Sequence, residues 1–200
     1  MTRPTGPGSA ERLPRLRPDE LTPSQRAVYD HITSGPRASG TRLFEMVDGE
    51  GRLNGPFDAM LRAPALGEAL QSLGSAVRYG TSLTGRIREM AILAVAAHWR
   101  SGFETYAHEA VGRAVGLSEE ELAHLRSDPG WRPAERGERA ALDLVRGLLA
   151  TGDVDDGAWA ALGEDLDPAQ IFELTTLVGY YGLLALQMRV FRADQADGVS

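Results

Sequence analysis

Apolar residues recur along this chain at the three-to-four spacing of an α-helix. Beyond a short hairpin around Asp48-Gly49, no stretch shows the alternation of a sheet. The first helical signal is Thr22-Pro23-Ser24-Gln25, with a threonine to cap, a proline in the first turn and a glutamine placed to reach back. It predicts a helix to about Ser34, stopped by Gly35-Pro36, and a glycine-rich connection over residues 37–55. A short helix is expected over residues 57–62. A longer one starts at Pro64, with Leu66, Leu70, Leu73 and Val77 at helical spacing, and ends at Arg78-Tyr79 before Gly80-Thr81-Ser82.

The run MAILAVAAHW, Met90 to Trp99, is apolar on nearly every face, which predicts a helix surrounded by protein and central to the fold. Ser101-Gly102 interrupts it, and a helix over residues 103–115 follows. Gly116 stops that helix, and Ser118 with Glu121 forms a capping box, with Leu117 and Leu122 as a hydrophobic staple, for a helix ending near Ser127. After the Asp128-Pro129-Gly130 turn, residues 133–149 place Ala140, Ala141, Leu144, Val145 and Leu148 on one side; Asp153 is expected to cap a short helix to about Leu162. Asp167-Pro168 opens a last helix to about Phe191, apolar nearly all round. Gly179 and Gly182 allow a close helix neighbour there, from the same chain or from a second copy. These elements define an all-α class and one domain, residues 16–200, behind a loose Pro/Gly/Ser/Arg-rich tail, residues 1–15.

Composition removes several chemistries. With no cysteine there is no disulfide, thiolate metal site or sulfur nucleophile, so thiol peroxidase activity is excluded. All 21 basic residues are arginine, which rules out a Schiff-base lysine and a P-loop lysine. A net charge of −7 without a basic block argues against nucleic acid as a partner. The first residues lack the apolar segment of a secretory signal, and the apolar runs read as short of a membrane span, so the expected location is the cytoplasm, with no membrane partner.

Candidate chemistry gathers where the central run meets ionisable residues. Glu104 and His108 stand four apart and share a helix face, and Glu89 sits just ahead of the apolar run. Two acids and an imidazole in a dry pocket would exchange protons near neutral pH; the alternative is an ordinary surface pair. Arg78 is a candidate anchor for an anionic substrate, or else a solvated arginine favoured at a helix C-terminus. Trp99, Phe103 and Tyr106 would wall the pocket or simply pack in the core. His98 reads better as a packed histidine than as a catalytic one. Glu and His are competent metal ligands, but the three-residue Glu/His spacing of di-iron bundles is missing, and no metal or other cofactor is expected.

Glu89, then Ser101, Glu104 and His108, reproduce the register E-x11-C-x2-C-x3-H and so resemble the carboxymuconolactone decarboxylase and AhpD-like superfamily, with both cysteines replaced. The likeness extends over about residues 53–191, through FDAMLRAPAL, GLSEEEL and LVGYYGLLAL. It implies an AhpD-like helical fold and a trimeric or hexameric homo-oligomer. It also implies a cofactor-independent lyase or isomerase acting through an enolate on a small unsaturated carboxylate, lactone or ring. In that reading His108 donates and accepts the proton, Glu104 is a second acid/base or orienting group, Glu89 sets the charge, and Ser101 donates to an oxyanion. The other reading is a non-catalytic ligand-binding or assembly protein on the same scaffold.

Overall fold

The computed structural model describes residues 12–34 and 43–193. The Gly35-Pro36 stop, part of the 37–55 connection and the first eleven residues of the expected tail lie outside them. Within them the chain is all-α, with nine helices: α1 (Pro23–Ser34), α2 (Phe57–Met60), α3 (Pro64–Tyr79), α4 (Gly85–Trp99), α5 (Gly102–Ala114), α6 (Glu119–Ser127), α7 (Arg136–Thr151), α8 (Asp156–Leu162) and α9 (Pro168–Phe191). The hairpin expected around Asp48-Gly49 amounts to one isolated antiparallel bridge, Val47 to Leu53.

α4 is the hub. It packs against α5, α6, α7 and α9, and everything from Glu89 to Ala96 is buried, which is why no polar stripe is needed along it. α9 lies alongside, burying Leu174, Leu177, Tyr181, Leu184 and Met188 in the core while Phe172, Leu186 and Val190 stay exposed. Both of its faces are apolar, so at 24 residues it is long and apolar enough by composition to cross a membrane. The expectation that every apolar run falls short of a span is therefore corrected; in this fold the inward composition serves contacts with α4, α7 and α3.

Local signals hold where the capping chemistry is strong. Ser118 and Asp167 head complete capping boxes with Glu121 and Gln170. They fail where only apolar spacing was available. On α3, Leu66 and Leu73 are exposed, and the buried side is instead Gly67, Leu70, Gln71, Gly74 and Val77. Gly67 is required there, because an added Cβ would lie 2.2 Å from the Met60 carbonyl oxygen. α7 starts at Arg136, capped by Glu135, rather than at Pro133, and the cap of α8 is Asp155, whose carboxylate accepts from the Ala158 amide, rather than Asp153. Residues 12–16 of the chain, expected to be loose up to Arg15, are fastened. The Arg12 amide donates to the Phe191 carbonyl, Arg15 to Asn54, and the Leu16 amide to buried Asp58.

Candidate functional site

The hairpin of α4 and α5 builds the site. Arg100 takes the left-handed conformation (φ 55°) usually left to glycine, ending α4 as the Ser101 amide donates back to Ala96. Ser101 then caps α5, its hydroxyl oxygen accepting from the Glu104 amide. The chain reverses within two residues, so the inward faces of α4 and α5 meet. Glu89 on α4 comes to rest against His108 on α5, and Glu104, one turn nearer the hairpin, reaches the other side of the same ring.

The geometry is a carboxylate–imidazole–carboxylate sandwich. Nδ1 of His108 is 2.6 Å from Glu89 Oε2, and Nε2 is 3.2 Å from Glu104 Oε2. Relative exposure is 0% for Glu89, 4% for Glu104 and 3% for His108. The surface-pair reading of Glu104 and His108 is therefore wrong. Burial works against charge on His108, but the neighbouring Glu89 charge and the hydrogen bonds to both acids outweigh it, and the imidazolium persists to higher pH than usual. For Glu89 burial again opposes charge. His108, through its charge and its hydrogen bond, together with Arg78 and Arg88 holds the carboxyl below its ordinary range.

Other expected residues are placed as follows. Arg78, at the end of α3, is not a solvated arginine. Its Nε is buried and has no hydrogen-bond partner among the described residues, its guanidinium lies 5.6 Å from the Tyr79 ring centre, and Tyr181, Glu89 and Glu104 are among the groups that favour its charge against burial. The aromatic wall is not where the sequence puts it. Trp99 packs edge-on to His98, under Arg189 and beside Gly182; Phe103 packs edge-on to Phe44 and Phe57; Tyr106 is 40% exposed. The ring that does close on His108 is Tyr181 of α9, edge-on with centroids 5.2 Å apart. Sequence reasoning missed it, and also Arg88, whose Nε stands 3.6 Å from Glu89 Oε1. The one signal for Tyr181 is a pair of phenols inside an otherwise apolar helix.

Two larger cavities lie elsewhere. One of about 810 Å³ is lined by α7 and α8, and one of about 530 Å³ lies beside His98, Arg132 and Arg146; neither is lined by Glu89, Glu104 or His108. Chemistry rather than volume marks the buried sandwich as the candidate. Among the described residues no group of three or more histidines and acids is arranged to hold a metal ion; at His108 both ring nitrogens are already engaged by carboxylates.

An all-helical hub with an acid–imidazole pair at its central hairpin defines an AhpD-like fold. Residues 64–146 match the carboxymuconolactone decarboxylase family, and the fold is that of AhpD-like proteins. No curated protein matches it. Solved structures of the same fold include an alkylhydroperoxidase AhpD core, an uncharacterized peroxidase-related protein from Ralstonia eutropha, at 17% identity and a TM-score of 0.74, over 96% of this chain and 95% of that one. A protein of unknown function from Agrobacterium tumefaciens, considered an antioxidant defence protein AhpD, is 20% identical with a TM-score of 0.61, over 68% of this chain and 93% of that one. The debrominase Bmp8, in complex with 2,3,4-tribromopyrrole, is 12% identical with a TM-score of 0.67, over 90% of this chain and 89% of that one.

Proposed function

We propose that this protein is a cofactor-independent lyase or isomerase that works by proton transfer on a small unsaturated carboxylate, lactone or ring through an enolate. The observation that carries this reading is the placement of both His108 nitrogens against buried carboxylates. Glu89 holds Nδ1 and favours the imidazolium, which leaves the proton shared between Nε2 and Glu104 as the one to be exchanged with substrate. In a decarboxylation the C–C bond to the carboxylate breaks, its electron pair passes into the conjugated enolate, and that shared proton is delivered to carbon. In an isomerisation the same pair removes a proton from carbon and returns it elsewhere. A debrominase of the same fold that binds a small planar ring supports substrates of that size. A cytoplasmic homo-oligomer acting on a small molecule, without nucleic acid or membrane, belongs to this reading.

The test follows carbon dioxide release and deuterium uptake from D₂O by NMR across a panel of butenolide and unsaturated carboxylic acids. Turnover is expected to fall about 10²–10⁴-fold in His108→Gln and Glu104→Gln separately, with substrate affinity retained. The second reading, a non-catalytic ligand-binding or assembly protein, draws on the fact that both His108 nitrogens are already engaged by the two carboxylates. It wins if the wild type turns over nothing in the panel and both variants bind as it does.

A further inference from the structure

Beside the sandwich lie two polar groups that the proton-transfer reading does not use. The first is Arg78, part-buried, with a buried Nε that has no hydrogen-bond partner among the described residues. A guanidinium is a five-donor fork that stays charged at every relevant pH, and one N–H of it left buried without an acceptor carries a desolvation cost. The second is Tyr181, 3% exposed, whose ring is edge-on to His108. The charges that bear on its phenol are Arg78, Glu104 and Glu89. Burial holds the phenol protonated far beyond its ordinary range. It therefore remains a donor throughout the working pH range, as does Arg78. The group expected from sequence to do this, Ser101, has its hydroxyl oxygen engaged as the cap of α5.

Two permanent donors stand next to a shared proton, one of them with an orphan N–H. Glu89 Oε1 is also buried without a hydrogen-bond partner among the described residues, and it does not take up the Arg78 Nε–H, which is left for an oxygen from outside the sandwich.

We propose that Tyr181 and Arg78 together form the oxyanion site of this centre, donating hydrogen bonds to the enolate oxygen of the substrate while His108 Nε2 and Glu104 move the proton at carbon. This rests on the proton-transfer reading above. No bond to Tyr181 or Arg78 is made or broken: the negative charge that appears on oxygen when the carbon is deprotonated or decarboxylated is received by O–H and N–H donors, and disappears when the carbon is reprotonated.

Tetronate, the stable enolate anion of a five-membered lactone, is the probe, and 2(5H)-furanone, the same ring without the enolate oxygen, is the comparator. The wild type is expected to bind tetronate at least ten-fold more tightly than the furanone. Tyr181→Phe, which keeps the ring against His108, is expected to weaken tetronate by about 10–100-fold and to leave the furanone unchanged, the size of a hydrogen bond to a charged group. In protein labelled with carbon-13 at the tyrosine hydroxyl carbon, the signal lost in Tyr181→Phe should shift when tetronate is added. Arg78→Gln is expected to weaken tetronate likewise, and carries the test should Tyr181→Phe fail to fold. Equal tetronate affinity in wild type and both variants, or no tetronate binding to the wild type, overturns the assignment. Failure of the proton-transfer reading looks different: tetronate binding that needs Tyr181, with no deuterium uptake into any substrate in the panel.

Discussion

Two ionic clusters sit three residues apart on α4, and they are built on opposite plans. Arg86 spends its guanidinium on three elements at once: Nε to Glu138 at 2.6 Å, Nη2 to Glu121 at 2.6 Å and Nη1 to the Gly116 carbonyl. It stays 30% exposed and ties α4 to α6 and α7. The Glu89–His108–Glu104 cluster is wholly inside, contains an imidazole whose charge is favoured by its two acids, and has beside it Arg78 and Arg88, each with a buried Nε that lacks a hydrogen-bond partner among the described residues. The first is a strap whose donors are used and whose charges touch water. The second keeps donors and a mobile proton in reserve where water is scarce. Proximity of opposite charges is common to both, so it does not distinguish a site from a scaffold; unsatisfied, titratable burial does.

The largest effect expected from this contrast is on stability. Glu89→Ala removes the carboxylate on His108 Nδ1, leaving Glu104 as the remaining buried acid for the imidazolium and Arg78, and should cost about 3–5 kcal/mol in urea unfolding. Arg86→Met strands two acids that solvent still reaches, so after discounting for screening the expected loss is about 1–2 kcal/mol, with turnover unaffected. Equal losses at the two positions would erase the distinction between strap and site.

The pH dependence sharpens the same contrast. His108 has a folded pKa above its ordinary 6.5, so its contribution is complete below pH 6.5 and is lost as pH rises through the folded value. Glu89 has a folded pKa below its ordinary 4.5, so its contribution is complete above pH 4.5 and is lost as pH falls through the folded value. Stability should therefore be highest between about 4.5 and 6.5 as far as this pair is concerned, and decline on the alkaline side. In His108→Gln the alkaline decline should vanish. An Arg86→Met protein should keep it, since the Glu89–His108 pair is untouched by that substitution. Unfolding free energies measured by urea at a series of pH values decide the matter; an alkaline slope that survives in His108→Gln would assign it to other groups.

The sequence makes the sandwich legible because its three members lie on two consecutive helices, where spacing and a tight reversal fix who meets whom. Glu89, Glu104 and His108 needed only the α4–α5 hairpin. Tyr181 needed the docking of α9 onto α4, a contact between segments far apart in the chain, and nothing local in LVGYYGLLAL says which face points inward when both faces are apolar. Trp99, Phe103 and Tyr106 were misplaced for a related reason: nearness in sequence to His108 was read as nearness in space, yet successive positions on α5 turn about 100° apart, and Phe103 and Tyr106 leave the His108 face. Leu66 and Leu73 of α3 show the limit of apolar spacing where glycines, by permitting close backbone approach, decide which side is buried. The capping box at Ser118 and the helix start at Asp167-Pro168 were read correctly because each signal is complete within four residues.

The smallest effect expected separates two serines with the same local role in the two regions. Ser118 caps α6 next to the strap, its hydroxyl oxygen accepting from the Glu121 amide, and Ser101 caps α5 within the site, accepting from the Glu104 amide. If both are caps and nothing more, alanine at either should cost about 1 kcal/mol of stability. The expected change in turnover is then slight for Ser118→Ala and at most a few-fold for Ser101→Ala, through a small shift of Glu104. A hundred-fold loss of turnover in Ser101→Ala at unchanged stability would mean that its hydroxyl meets the substrate, returning the oxyanion role from α9 to the α4–α5 hairpin. The measurement is a paired one, melting temperature and rate on the same preparation, because a cap acts on the first and an oxyanion donor on the second.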